Sequence, residues 1–279
     1  MLTYEGLQFH YARDCKLCQG IQSIIDADNI RRECLCQKLA RQKWRLEQVK
    51  IRPNSLKYKD WADFNGTIEV NGEIVGSLTI ESALSGRDKA FQYCFGSPFD
   101  SKLLHSRSSH LYVQNHTSDG KNVIITGDSG SGKSLLSVLI LKEVICAASF
   151  LPLDYRWIET YDLINAARWD NNGTTEKGVD HDYLDHIAGL DFLFLEGVGV
   201  QTRGHNYPPD HFALDKLFGN RRVMRLPTIM TCSKEFWKLV AGRNPAGQDV
   251  VHKIYGNQFL EILQDSGNIV IDLEKDNAA

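Results

Sequence analysis

Eight residues near the middle of the chain, GDSGSGKS at positions 127–134, have the types and spacing to hold phosphates. Glycines at 127 and 132 let the backbone wrap closely around an anion with its N–H groups turned inward. Lys133 has the reach for the outer phosphates of a nucleotide, and the Ser134 hydroxyl can ligate Mg2+. The flanks agree with this reading. Val123, Ile124 and Ile125 read as a short buried strand, and the apolar run Leu135 to Val144 reads as a helix. The positive end of that helix dipole would add to the anion site. Gly127, Asp128, Ser129, Gly130, Ser131, Gly132, Lys133, Ser134 and Leu135 are therefore the candidate nucleoside triphosphate-binding residues.

A second group of chemistry-bearing residues lies near the N-terminus. CKLC at 15–18 and CLC at 34–36 give a C-x2-C-x15-C-x-C pattern. Zn2+ takes four soft ligands in a tetrahedron, and a two-residue gap lets both sulfurs of a pair face one ion. Cys15, Cys18, Cys34 and Cys36 are the candidate ligands, and a four-cysteine set leaves no open position, which favours a structural role. Four ordinary reduced cysteines are the alternative, and nothing in the spacing of His10 recommends it as a ligand. Cys94, Cys146 and Cys232 are scattered singly, as free thiols of a reducing cytosol would be.

A third feature is FLFLEGVGV, residues 192–200, a buried strand ending in an acid. Enzymes that hydrolyse nucleotides usually carry two acids at such a strand end. Here Glu196 is followed by Gly197.

The rest of the chain must position these groups. With 279 residues, 42% hydrophobic and 24% charged, it reads as a globular protein with a sizeable core. Its net charge of −3 says nothing about nucleic acid. Residues 31–59, however, hold ten Lys or Arg against Glu33 and Glu47. That block suits phosphates, an acidic partner or a solvated helix face. No run of 18 apolar residues and no signal-like N-terminal segment is visible, so a membrane span and secretion are not expected. Residues 37–50 read as a helix, and Pro53, Asn54 and Ser55 break it. Residues 67–80 read as a hairpin around Asn71-Gly72, with a helix over 82–95. Downstream, strands and helices alternate: a strand and helix over 154–168, a loop at 171–178, FLFLEG, a helix near 212–218, and the apolar strand RLPTIMTCS at 225–233. Such alternation argues for an α/β fold, a parallel sheet covered by helices on both faces, with phosphates at the carboxyl ends of the strands.

The order of motifs resembles a known family, the bacterial and phage replicative-helicase loaders of the DnaC and DnaI type. The resemblance runs over nearly the whole chain. It comprises the two cysteine pairs, IRPNSLKYKDWADF, GDSGSGKS, DFLFLEGVGV, Arg221-Arg222 and LPTIMTCS. It implies an AAA+ P-loop NTPase core over 97–279, a small zinc-binding, helicase-docking domain over 1–56, and a linker with hairpin and helix over 57–96. It also implies ATP, Mg2+ and structural Zn2+, a DnaB-type helicase and single-stranded DNA as partners, a homo-oligomer when assembled with ATP or helicase, and a cytoplasmic setting in a bacterium or for a phage or mobile element.

The resemblance places Glu196 as the Mg-orienting acid and Ser233 as a sensor-like residue, with Thr231 able to compensate. It leaves Arg221 and Arg222 as candidates for reaching a neighbouring subunit's nucleotide, or as ordinary surface arginines. In AGQDVVHKI, residues 246–254, Asp249 and Lys253 stand where the family offers arginines, and lysine cannot make the two-pronged contact. Trp237 and Tyr255 suit either base stacking or a core. With Gly197 in place of the water-polarising acid, the resemblance implies ATP binding with weak or absent hydrolysis. Two other roles fit the same residues: a non-motor regulator or decoy of the helicase or its loader, and an IstB-like transposition helper ATPase.

Overall fold

The computed structural model describes residues 5, 8, 12–25, 29–51, 54–70, 73–99, 120–148, 153–167, 180–199, 211–241 and 245–274. The Asn71-Gly72 turn, His10 and the loop 171–178 lie outside them.

Two short strands, β1 (Ser23–Ile25) and β2 (Arg31–Glu33), pair antiparallel beside the cysteines, and helix α1 (Leu35–Gln48) follows. Two 3-10 turns, Asn54–Tyr58 and Trp61–Asp63, lead into the hairpin strands β3 (Thr67–Val70) and β4 (Glu73–Ser77). Helix α2 (Ile80–Phe95) starts on the Thr79 side chain, which accepts from the Ser82 N–H, and ends at Gly96 in a left-handed conformation. The main sheet then comprises β5 (Val123–Gly127), β6 (Tyr155–Glu159), β7 (Phe192–Val198), β8 (Thr228–Ser233) and β9 (Ile269–Leu273). Their order is β6-β7-β8-β5-β9, and every pairing is parallel. The connecting helices are α3 (Lys133–Ala147), α4 (Thr160–Ala166), α5 (His181–Ala188), α6 (His211–Val223), α7 (Lys234–Ala241), α8 (Pro245–Tyr255) and α9 (Asn257–Gln264).

Strand alternation sorts the core into two layers. Val123, Ile125, Phe192, Phe194 and Ile229 pack on one face with α2 and α3. Ile124, Leu193, Leu195 and Met230 pack on the other with residues of α4 through α9. A parallel sheet buried on both faces explains why β5 and the first half of β7 read as continuous apolar runs. This is the expected fold class, an α/β core preceded by a small cysteine-bearing module. Strand β9 and helices α8 and α9 were not among the expected elements, because short amphipathic segments give a weak periodic signal.

The expected linker, 57–96, does not run free of the core. Trp61, Phe64, Ala83, Phe91 and Phe95 share one apolar cluster with Leu136, Leu139 and Ile140 of α3. The Trp61 and Phe91 rings meet edge to face at 5.1 Å, and Phe91 stacks on Phe95 at 4.1 Å. Helix α1 and the residues just past it join them: Leu46 and Ile51 lie in this cluster, and Gln42 donates to the Lys142 carbonyl at 3.2 Å. Part of the basic block is used the same way. Arg45 bonds the Ala148 carbonyl, Lys57 is buried and donates to the Glu47 carbonyl, and Lys43 sits over the Tyr58 ring. Among the described residues, no helix is long and apolar enough to cross a membrane.

Within α3, Glu143 is buried and accepts from the Trp61 indole N–H at 3.1 Å. Burial raises its pKa from 4.5 to about 7, against the lowering influence of Trp61 and Lys142. A carboxyl that holds its proton more tightly when folded stabilises the native state at low pH, and that contribution is lost as pH rises through the folded pKa. Glu143→Gln keeps the acceptor for Trp61 and removes the charge. The variant should be more stable than the parent by about 2 kcal/mol at pH 8, with little difference near pH 4.5. Urea unfolding of both chains across this range checks it.

Candidate functional site

The phosphate loop leaves β5 and enters α3 as the spacing predicted. Gly132, the residue before the helix, has φ of +90°, and a Cβ there would lie 2.7 Å from the Phe64 ring. Only glycine serves both needs at that position, and Phe64 from the supposed linker thus packs on the loop itself. Lys133 donates to the Gly127 carbonyl at 2.9 Å and the Asp128 carbonyl at 2.5 Å, which holds its ammonium inside the loop. Burial lowers the Lys133 pKa, and the Glu196 carboxylate leads the charges that oppose this.

Glu196 stands at the carboxyl end of β7, two strands from β5. Its Oε1 accepts from the Ser134 hydroxyl at 2.5 Å. Burial raises its pKa, while hydrogen bonds from Ser134 and Thr231 and the charge of Lys133 lower it. The second oxygen, Oε2, is buried with no protein partner. An anionic pair of oxygens with one lone acceptor, next to the Ser134 hydroxyl, suits a hard cation and its water shell. The residues present therefore fit Mg2+ beside bound phosphates.

Gly197 explains its own identity. Its φ is +75°, and the β7–β8 register shifts between Leu195 and Val198, so the strand bulges just past the acid. Its N–H, turned away from the ladder, donates to the Thr231 hydroxyl at 2.9 Å. Two residues on, the Gly199 N–H donates to the Tyr255 hydroxyl at 3.2 Å. Side-chain hydroxyls thus replace strand pairing along the tail of β7. Tyr255 is a core residue, 1% exposed, which rules out base stacking for it.

Ser233 pairs in register with Gly127 and so lies beside the loop. Its hydroxyl accepts from the Phe236 N–H at 3.1 Å and caps α7. Thr231 is the hydroxyl of β8 that touches the Glu196–Gly197 bulge.

The two arginines part company. Arg221 is 0% exposed, and its guanidinium donates to the carbonyls of Leu190 and Pro227, each at 2.7 Å, and of Ile187 at 3.2 Å. It also meets the Thr228 hydroxyl at 3.2 Å. It therefore ties the C-terminus of α5 to the start of β8, which corrects the expectation that it reaches a neighbouring subunit. Burial lowers its pKa to about 9, still well above neutral, so the group stays charged. Arg222 is half-exposed, bonded to Gln258 and paired with Glu261. Lys253 is exposed and pairs with Asp249 one turn away at 2.6 Å.

The four N-terminal cysteines converge. All four sulfurs lie within 4.8 Å of one another, with Cys15 to Cys34 at 3.5 Å and Cys18 to Cys36 at 3.6 Å. A tetrahedral ion at Zn–S distances of about 2.3 Å separates its sulfurs by about 3.8 Å, so the set fits Zn2+. The C-x-C spacing has a structural cause: Cys34 is the N-cap of α1 and Cys36 lies in its first turn.

No family model matches the sequence, and no curated protein matches it. Among solved structures, the fold is similar to a protein from Streptococcus pyogenes serotype M3 assigned as a primosome component. The two are 16% identical with a TM-score of 0.48, over 86% of this chain and 100% of the other. It is also similar to the DnaC helicase loader, at 18% identity and a TM-score of 0.41 over 59% of this chain and 85% of that one. A DNA replication initiation factor gives 16% and 0.41, over 60% of this chain, which spans only 44% of the factor. At such identities and scores the likenesses say nothing about substrate or partner.

Two substitutions test this geometry. Arg221→Ala should cost about 3 kcal/mol, because several buried carbonyls lose their donor, whereas Arg222→Ala should stay within about 0.5 kcal/mol. Gly197→Glu places a side chain in a left-handed conformation and should cost about 1–2 kcal/mol. Thermal melts of the three variants beside the parent chain read these differences.

Proposed function

We propose that the chain is a helicase-loader-like AAA+ protein of DNA replication, an ATP-dependent switch or clamp that delivers or remodels a DnaB-type hexameric helicase on single-stranded DNA. The observation that carries the nucleotide part is the Ser134–Glu196 hydrogen bond beside Lys133, which joins the phosphate loop to an acid-ended strand. The loader part is supported by the order of motifs in the sequence, with a cysteine quartet ahead of that core.

In this reading the loop amides of 127–134 and the α3 N-terminus bind the phosphates, and Lys133 leaves the loop carbonyls for the outer ones. Bound Mg2+ would neutralise phosphate charge, held by Ser134 directly and by Glu196 through its water shell. Thr231 orients Glu196 and the bulge that follows it. The cysteine module, with Zn2+, presents the docking surface, and Arg222 is the arginine left for a subunit boundary. Gly197 leaves β7 without the water-polarising acid next to Glu196, which favours a cycle slower than that of a strand carrying both acids. The same glycine supports a second reading, a non-motor regulator that occupies the helicase while nucleotide-bound.

The 279-residue chain, purified with Zn2+, should carry about one zinc per protein. It should co-elute with a DnaB-type helicase in the presence of ATP and Mg2+. Lys133→Ala should lower ATP affinity by about tenfold or more, since the lysine meets the outer phosphates. Replacing Cys15 and Cys18 by Ser should abolish zinc and helicase binding and leave ATP binding intact. Failure to bind any DnaB-type helicase would remove the loader reading and the regulator that occupies the helicase, and leave a regulator of the loader or a transposition helper ATPase. A loading assay that fails despite stable complex formation would favour the regulator.

A further inference from the structure

We propose that Glu159, at the carboxyl end of β6, is the general base of this nucleotide site, standing in for the acid that Gly197 cannot supply. The proposal rests on the nucleotide-binding reading and adds a catalytic residue to it. Glu159 is the in-register partner of Glu196 across the parallel β6–β7 pair. Residues in register on neighbouring strands share a face of the sheet, and the strands lie about 4.8 Å apart. Glu196 is met on that face by Ser134 from the start of α3, so Glu159 stands on the phosphate side of the sheet.

The pairing is locked beyond the ladder. Thr160, fully buried, donates its hydroxyl to the Glu196 carbonyl at 2.9 Å, which ties the end of β6 to the end of β7. The two carboxylates sense each other, since the Glu159 charge raises the Glu196 pKa. Glu159 is only half-buried, which gives its carboxylate access to water. Glu196, with its Oε1 bonded to Ser134, suits the metal-orienting task, and Glu159 suits proton transfer. In the step itself, a water oxygen bonds to the γ-phosphorus while the bond to the bridging oxygen breaks. The electron pair leaves with ADP, and Glu159 accepts the water proton and later yields it to solvent.

The test uses the full-length chain with ATP and Mg2+, phosphate release being followed beside binding of a fluorescent MANT-ATP. Glu159→Gln should lower phosphate release by about 10²-fold while MANT-ATP affinity changes less than about twofold. Glu159→Asp keeps the carboxylate and the strand pairing, and should retain about a tenth of the parent rate with an unchanged melting temperature. If Glu159→Gln does not fold, the Asp variant decides, and a parental rate in it overturns the proposal. Failure of the parent chain to bind MANT-ATP would sink the nucleotide reading itself. Binding without any Mg-dependent phosphate release, or release that Glu159→Gln leaves unchanged, would overturn the role of Glu159 alone.

Discussion

The hydrogen bond from the Ser134 hydroxyl to Glu196 holds the phosphate loop and the acid-ended strand in one site. Ser134 opens α3, and Glu196 closes the regular part of β7, two strands away from β5. For these groups to meet, β8 must lie between β5 and β7 in parallel register and α3 must lie flat on that face of the sheet. The two apolar layers enforce this arrangement. Continuous burial of β5 and β7 on both faces leaves them no freedom to slip by one residue, since a slip would exchange the two core faces.

The chain past Glu196 shows how a strand end can be remade without losing its acid. A bulge with Gly197 in the left-handed region turns two backbone N–H groups out of the ladder, and the hydroxyls of Thr231 and Tyr255 receive them. Tyr255 belongs to α8, so the strand that carries the acid is joined directly to the C-terminal helices. On the opposite face, Phe64 lies against Gly132 and Trp61 bonds Glu143 of α3, so the segment ahead of the hairpin braces the phosphate loop.

The cysteine module follows different rules. Its apolar cluster is small, Ala12 with Cys18, Cys34 and Cys36, backed by Cys15 and Ile24. A unit of this size would gain folding free energy chiefly from a metal drawing the four sulfurs into one tetrahedron. Helix α1 starts in that module and ends in the main core, with Leu46 and Ile51 packed beside α3 residues. The helix is the physical joint between the cysteine module and the α/β core.

The phosphate loop, the cysteine quartet and the parallel α/β class were legible in the sequence because each is written in neighbouring residues. Glycine spacing sets a backbone shape, thiol spacing sets a ligand set, and apolar runs set burial. Gly197 was legible as a missing acid, but not as a residue required by a left-handed bulge, since φ depends on how β7 meets β8. Arg221 and Arg222 are adjacent and chemically identical, yet one is sealed under carbonyls of α5 and β8 and the other faces solvent. The breakers Pro53, Asn54 and Ser55 marked off 57–96 as a linker leading into the core, and its packing on α3 is visible only in the tertiary structure. Glu159 carries no motif at all, and register alone puts it beside Glu196. The sequence by itself determined which residues have the types and spacing for phosphate and metal, because those signals are local. Which charges are buried, which are paired and which carboxylates stand together was decided by tertiary structure, because burial and register arise only when distant segments pack.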